Sequence, residues 1–217
     1  MKKIFPLMVF ALILGIQSLC GAAKISDGTF QNHEDLICPV VSTGDAVVDR
    51  KINVAIIAEL DRFTTSVYNA KMFNGWKIEM MKSRYVIGCN ENFGTKILSL
   101  IFDEKNSFKD RNNSSHYIHG LNFDTTTGEI LNMDYFIKQG NFYDREEFTR
   151  HVERKLLEYC RRENIQPLPD AIPIKDLPDY YNFYLDKNIH LYFIFQYDSG
   201  IAILPREVGV VDLDLNS

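Results

Sequence analysis

The feature that most constrains the fold is a long amphipathic stretch at residues 45–72. Apolar side chains recur in it at spacings of three and four residues, which is the period of one face of an α-helix. They are Val48, Ile52, Ala55, Ile56, Leu60, Phe63 and Val67. Ser42, Thr43 or Asp45 can cap the first turn. We therefore predict one long helix that buries a single face.

Segments with the alternating pattern of β-strands follow this helix. Asn74 and Gly75 break the helical period, and apolar and polar side chains then alternate in three runs. The runs are residues 76–89, 95–102 and 115–124, separated by a turn at 90–94 and a polar loop at 105–115. We predict a hairpin that a third strand extends into a meander.

A turn and a short helix close this half of the chain. Gly128 can supply the positive φ that such a turn needs, and Asp124 can accept hydrogen bonds from backbone amides across it. Asp134 is expected to cap a single helical turn that contains Tyr135 and Phe136.

The rest of the chain predicts a second helix and more strands. Residues 144–164 carry an apolar stripe, with acidic residues at the start and arginines at the end. A proline-rich loop leads to aromatic strands at 180–186 and 189–196, and 201–215 holds two shorter strand-like runs. This order predicts an α+β fold in which an antiparallel β-sheet packs with two main helices. Residues 24–140 and 141–217 are expected to pack as one unit.

The first 23 residues have the pattern of a secretory signal peptide. Lys2 and Lys3 precede an apolar core at residues 4–16 and an exit of small residues. The alternatives are an uncleaved membrane helix and a lipid anchor on Cys20. We expect an exported protein, periplasmic or extracellular. Loss of both lysines with the leader changes the formal charge from −5 to −7, which argues against a nucleic-acid partner.

Three cysteines remain in the mature chain: Cys38, Cys89 and Cys160. An odd number allows at most one intramolecular disulfide, and the alternative is three small buried side chains. No Cys/His spacing typical of zinc occurs, so neither a metal site nor a cofactor is predicted.

Groups suited to catalysis are sparse. His116 and His119 lie three residues apart, which on a strand places them on opposite faces and disfavours shared metal coordination, unless a twist or bulge at Gly120 brings them together. Asp124, Glu129 and Asp134 could supply the paired carboxylates of a glycosidase, but each has a plain role in a turn or a cap. We predict no catalytic residue.

Aromatic residues are the densest unusual feature. The predicted C-terminal hairpin and the residue after it contain eight phenylalanines or tyrosines between residues 180 and 197, and alternation turns one set away from the other. Outward tyrosines offer apolar area with a polar tip, which suits stacking on sugars or contact with a protein. Tyr180, Tyr184, Tyr192 and Tyr197 are the candidate binding residues; ordinary packing within the sheet is the alternative.

The segment LNFDTTTGEILNMDYFI, at residues 121–137, resembles the central signature of the PdaC/RsiV-like extracytoplasmic domains. Further matches occur in the family's order. They are Pro39, Gly44, Ile52 and Asn53 for the opening motif, His119-Gly120 for a histidine-glycine pair, and residues 183–198 for the late aromatic segment. The resemblance covers about residues 37–217.

The family occurs beside peptidoglycan deacetylase domains and as the outer part of a lysozyme-sensing anti-sigma factor. The resemblance implies a cell-envelope protein that binds or senses a cell-wall glycan or a lysozyme-like protein, with His119 structural or in contact with the partner. We expect the accessory or sensing domain by itself, without a sigma-binding region or a deacetylase domain. One alternative is a peptidoglycan-modifying enzyme that uses Asp124, Asp134 and Asp198, and another is a structural periplasmic protein.

Overall fold

The computed structural model of the chain describes residues 22–109, 114–140, 142–164, 183–195 and 209–213. Residues 1–21 of the predicted leader, the proline-rich loop, Tyr180, Tyr197 and Asp198 lie outside the described residues. Among the described helices, none is long and apolar enough to cross a membrane.

The long helix, α1, covers Ala46–Asn74, close to the predicted range. Asp45 caps it: one carboxylate oxygen accepts hydrogen bonds from the backbone N–H groups of Val47 at 2.8 Å and Val48 at 3.3 Å. Gly75 ends it in the left-handed conformation, with φ of 68°. The buried stripe matches the predicted one except that Ala55 is only partly buried and that Glu59 and Thr64 are added: Val48, Ile52, Ile56, Glu59, Leu60, Phe63, Thr64 and Val67.

Helix α1 lies on one face of a five-stranded sheet. In both spatial and chain order its strands are β1 (Lys24–Phe30), β2 (His33–Ser42), β3 (Ile78–Asn90), β4 (Ile97–Phe108) and β5 (Ser114–Asp124). Neighbours pair antiparallel except β2 and β3, which make one parallel contact between Leu36 and Ser83. The apolar stripe of α1 and the even-numbered residues of β4 from Leu98 to Phe102 share one core.

Two features of this sheet were not predicted. The hairpin of β1 and β2 has no counterpart in the sequence analysis, because most β1 side chains are exposed and leave no clear alternation. Strand β4 continues through residues 105–108, which were wrongly predicted as loop. Asn106 and Phe108 are buried there, so the alternation of buried and less buried side chains continues to the end of the strand. It is hard to recognise in the sequence because Asn106, a buried position, is polar.

The opposite face of the sheet carries a second layer. It consists of α2 (Met133–Gln139), α3 (Arg145–Arg162) and a three-stranded antiparallel sheet of β6 (Phe183–Leu185), β7 (Leu191–Phe195) and β8 (Gly209–Asp212). Buried side chains from α2, α3, β6 and β7, together with Leu213 after β8, form a second core, centred on Phe136, Phe148, Phe183 and Phe193. The architecture is α+β, with α1 on one face of the five-stranded sheet and two helices with a second sheet on the other.

The prediction that Asp134 caps α2 was wrong. The cap is Asn132, whose side chain accepts a hydrogen bond of 3.2 Å from the N–H of Tyr135. Asp134 instead lies exposed in the first turn, where its charge favours the positive end of the helix dipole.

Strand β6 approaches the first sheet so closely that two glycines are required there. A Cβ atom on Gly88 would lie 2.2 Å from the carbonyl oxygen of Leu185, and one on Gly120 would lie 1.8 Å from that of Phe183. The absence of a side chain at both positions lets the second sheet rest directly on the first.

The three cysteines are free and buried. Burial raises the pKa of the Cys38 and Cys160 thiols above their usual range, so both are protonated at neutral pH. They serve as small apolar side chains, in agreement with the second of the two alternatives drawn from the sequence.

Candidate functional site

A cleft of about 280 Å³ opens between α2, the start of β4 and the turn that joins β6 to β7. Its volume lies just below the range of about 300–1,000 Å³ that is typical of small-molecule sites. The lining residues are Thr95, Ile97, Tyr135, Phe136, Gln139, Leu185, Asn188, Ile189 and His190. This cleft was not predicted, because its walls come from three distant parts of the chain.

The wall of the cleft combines aromatic area with uncharged polar groups. The rings of Tyr135 and Phe136 meet edge to face at 5.4 Å. Burial, and then the charges of Asp124 and Cys89, raise the pKa of Tyr135, so its hydroxyl is neutral at physiological pH. Gln139 and Asn188 add amide groups that can both donate and accept hydrogen bonds. A ligand with an apolar ring face and several hydroxyl or amide groups matches this wall.

The turn at one side of the cleft is held in place by its own hydrogen bonds. One carboxylate oxygen of Asp186 accepts from the N–H groups of Asn188 at 2.8 Å and His190 at 2.9 Å. Asn92 anchors the turn to the first sheet, since its side-chain amide donates to the carbonyl of Lys187 at 2.9 Å. Side chains on such a turn are positioned before a ligand arrives, which lowers the entropic cost of binding.

Carboxylates are absent from the described lining of the cleft. Asp124 instead holds its own turn, where it accepts hydrogen bonds from Thr126 and Thr127. Glu129 pairs with Lys51 at 2.6 Å, and Asp134 is exposed on α2. The three described carboxylates of the enzyme hypothesis therefore have separate surroundings.

The predicted tyrosines on the second sheet form a stacked pair. Tyr184 and Tyr192 lie opposite each other on β6 and β7, with ring centroids 4.9 Å apart and planes at 7°. Both are half-buried and face away from Phe183 and Phe193, as the alternation predicts. Burial, and then the charges of Tyr192, Asp186 and Asp212, raise the pKa of Tyr184 to about 12. Whether this pair binds a partner stays a prediction.

His119, a predicted binding residue, lies inside the molecule between α1 and the sheet, where it is only 4% exposed. His116 lies on the other face of β5, where its Nε2 is 2.7 Å from Asp103, so the predicted separation of the two histidines is confirmed. Because His119 is buried, a structural or ion-binding role is favoured over surface contact with a partner.

Two buried glutamates accompany His119. Nε2 of His119 lies 3.3 Å from Oε2 of Glu104 on β4, and Nδ1 lies 3.9 Å from Oε1 of Glu59 on α1. Arg62, one turn after Glu59, donates hydrogen bonds to both of its oxygens at 2.5 and 3.2 Å. Burial raises the pKa of Glu104, an effect that His119 only partly offsets and to which the charge of Glu59 adds.

The sequence analysis missed both glutamates, although each left a signal. Glu59 lies within the apolar stripe of α1, and Glu104 continues the alternation set by Leu98, Leu100 and Phe102 on β4. A charged residue in phase with buried apolar neighbours is rarely buried without a partner. Such positions could have been selected from the pattern, but their convergence on His119 depends on the tertiary fold.

Comparison with known proteins finds no match. Neither a protein-family model, nor a curated protein, nor a solved structure matches the chain.

Proposed function

We propose that this chain is an exported, non-catalytic binding domain of the cell envelope, and that its cleft takes one N-acetylated sugar unit of a cell-wall glycan. The observation that carries the proposal is the cleft itself, whose lining combines the ring of Tyr135, backed by the buried Phe136, with the polar side chains of Asn188 and His190.

The size and chemistry of the cleft support a sugar. A volume of about 280 Å³ suits a single ring and its substituents better than an extended ligand. Sugar rings have apolar faces that pack on aromatic side chains, and hydroxyl and acetamide groups that require donors and acceptors around the edge. Gln139, Asn188 and His190 provide groups of that kind.

Binding without turnover is supported by the surroundings of the acidic residues. Hydrolysis of a glycosidic bond by the common mechanism needs two carboxyl groups that flank the bond. The described lining of the cleft has none, and Asp124 is held by hydrogen bonds within its own turn. A non-catalytic role in a wall-binding or wall-sensing protein accounts for these features without a further assumption.

A lysozyme-like protein is the second candidate partner. The formal charge of −7 expected after loss of the leader favours encounter with a basic protein, and such steering weakens with salt. The stacked pair of Tyr184 and Tyr192, flanked by Asp186 and Asp212, offers aromatic and acidic groups for that contact.

The two partners and the enzyme alternative can be separated in one experiment. The purified protein is incubated with peptidoglycan fragments and, separately, with lysozyme, and both binding and product release are measured. Our proposal predicts that fragments bind and are recovered unchanged. Binding to lysozyme alone at low salt would support the second candidate, whereas release of new glycan or acetate products would overturn a non-catalytic role.

A further inference from the structure

We propose that Glu59, Glu104 and His119 form a binding site for one divalent transition-metal ion of the Zn²⁺ type, between α1 and the first sheet. The site is separate from the cleft and does not depend on the proposed function. It draws one ligand from a helix and one from each of two neighbouring strands, β4 and β5.

The distances in the cluster fit coordination of one ion. One ligand atom from each of the three residues can be chosen so that all lie within 4.8 Å of one another. Zinc binds carboxylate oxygen and imidazole nitrogen at about 2.0–2.2 Å, which places neighbouring ligands roughly 3–4 Å apart. The separation of 3.3 Å between Nε2 of His119 and Glu104 already lies in that range. Glu59 lies 3.9 Å from the other ring nitrogen, Nδ1, which cannot bind the same ion, so for Glu59 only the limit of 4.8 Å applies and its side chain would have to move toward the ion.

A second observation is that the contact of 3.3 Å with His119 does not satisfy the carboxylate of Glu104 as a hydrogen bond. Its side chain is fully buried, yet neither carboxylate oxygen accepts a hydrogen bond from the described residues. A buried carboxylate in that condition is costly unless it is paired or coordinates a metal. A cation bound beside Glu104 would supply the charge that its carboxylate lacks.

Ser83 strengthens the same argument. It lies directly opposite Glu104 in the antiparallel pairing of β3 and β4, so the two side chains are on the same face of the sheet. Its hydroxyl is also fully buried and makes no hydrogen bond within the described part of the chain. The hydroxyl is placed to support an ion beside Glu104, either as a ligand or through a bound water.

Arg62 is the competitor of the ion. Its guanidinium binds Glu59 and lies 3.1 Å from Nε2 of His119, so it contacts two of the three residues that would bind the ion. About half of its side chain is exposed, at 48%, which leaves room for it to turn outward. Two glutamates in their carboxylate form would carry the charge that one divalent ion neutralises, and departure of Arg62 would remove the repulsion between the two cations.

The test uses the purified protein, freed of metal by a chelator and then supplied with Zn²⁺. Bound zinc is measured by elemental analysis after gel filtration, and the dissociation constant by competition with a chromophoric chelator. We expect one ion per chain and a melting temperature that rises with zinc concentration, as ligand binding to the folded state requires. Glu104→Gln and His119→Gln are each expected to weaken zinc binding by about 100-fold or more. Loss of a residue that only supports a ligand weakens binding by about 10–100-fold, and loss of a ligand itself should cost at least as much.

Two further variants make the assignment specific. Arg62→Met should strengthen zinc binding by roughly tenfold, because it removes a positive charge from the site. His116→Gln, on the opposite face beside Asp103, is the control for adventitious binding to a surface histidine and should leave the affinity unchanged. Circular dichroism verifies that each variant is folded. Absence of stoichiometric zinc in both the natural protein and Arg62→Met, or loss of zinc in His116→Gln alone, would overturn the proposal.

Discussion

The hydroxyl of Ser99 on β4 donates a hydrogen bond of 2.8 Å to Oδ1 of Asn122 on β5, and both residues are fully buried. Each also binds the backbone of β6. The Ser99 oxygen accepts from the N–H of Leu185 at 3.0 Å, and the Asn122 amide donates to the carbonyl of Phe183 at 2.8 Å. The two side chains thus join the first sheet to the second sheet, which supplies part of the cleft.

Asn122→Ala should therefore destabilise the protein. The substitution removes the hydrogen bonds that the Asn122 side chain makes with the Phe183 carbonyl and the Ser99 hydroxyl. Each buried polar group that loses its hydrogen-bond partner costs about 1–3 kcal/mol. We expect a loss of about 2–4 kcal/mol in the free energy of unfolding, measured in urea. Ser107→Ala is the control, because its bond to Glu79 is exposed, and a loss of about 0.5 kcal/mol or less is expected. Equal effects would contradict a joining role for Asn122.

Gly120→Ala should also destabilise, for steric reasons. The new methyl would lie 1.8 Å from the Phe183 carbonyl oxygen, so β6 must move away from the sheet. We expect a loss at the upper end of the range of about 1–3 kcal/mol for overpacking. At Gly28 an added methyl would lie 3.2 Å from Val40, so Gly28→Ala should cost much less. Thermal unfolding of both variants is the measurement, and similar melting temperatures would refute the close approach.

Asp124 should make stability depend on pH in the acid range. Burial alone would raise its pKa, but hydrogen bonds from Thr126 and Thr127 outweigh burial and lower the pKa below its usual value of 3.8. A lowered pKa means that the folded state favours the ionised form, so this stabilisation is present above about pH 4 and is lost as pH falls through the folded-state pKa. Asp124→Asn should therefore lose less stability than the natural protein between pH 4 and pH 2 in urea unfolding.

The control for this titration is Asp61→Asn, which changes an exposed carboxylate in the middle of α1, away from either end of the helix dipole. Its acid dependence should follow that of the natural protein. If Asp124→Asn instead retained the full acid dependence, the hydrogen bonds from Thr126 and Thr127 would not favour the ionised form of the carboxylate.

The stacked tyrosines give a prediction for partner binding. Tyr192→Ala removes one ring of the pair and should weaken binding to lysozyme or to peptidoglycan fragments by about tenfold, as truncation of a central aromatic contact does. Tyr143→Ala is the matched control, because that side chain is 93% exposed and lies outside both the pair and the cleft. Equal affinities in the two variants would mean that the pair serves only to pack the sheet.

The regular elements could be predicted because their patterns are local. Helices were expected at residues 45–72 and 144–164 and occur at Ala46–Asn74 and Arg145–Arg162, since long apolar stripes determine a helical face. The β1–β2 hairpin could not be predicted in this way, because its strands pair largely through backbone atoms on an exposed surface. Asn132 and not Asp134 is the cap because α2 begins at Met133, one residue after Asn132, and the sequence alone did not give that starting point.

The candidate sites were harder to predict from the sequence than the helices. Alternation correctly separated Tyr184 and Tyr192 from Phe183 and Phe193, because it follows from strand geometry alone. The cleft and the ion site each combine elements that are distant in sequence. Glu104 and Ser83, for example, become neighbours only through the register of β3 and β4.

Affinity of cleft variants for a soluble N-acetylglucosamine oligomer, measured by calorimetry, tests the central proposal most directly. The double variant Gln139→Ala/His190→Ala removes two polar side chains from the wall without touching either core. It should bind about tenfold or more weakly than the natural protein, since two hydrogen bonds of about 1 kcal/mol each are lost. Tyr143→Ala should bind normally. Unchanged affinity in the double variant, or no binding by the natural protein, would contradict the assignment of the cleft to a glycan.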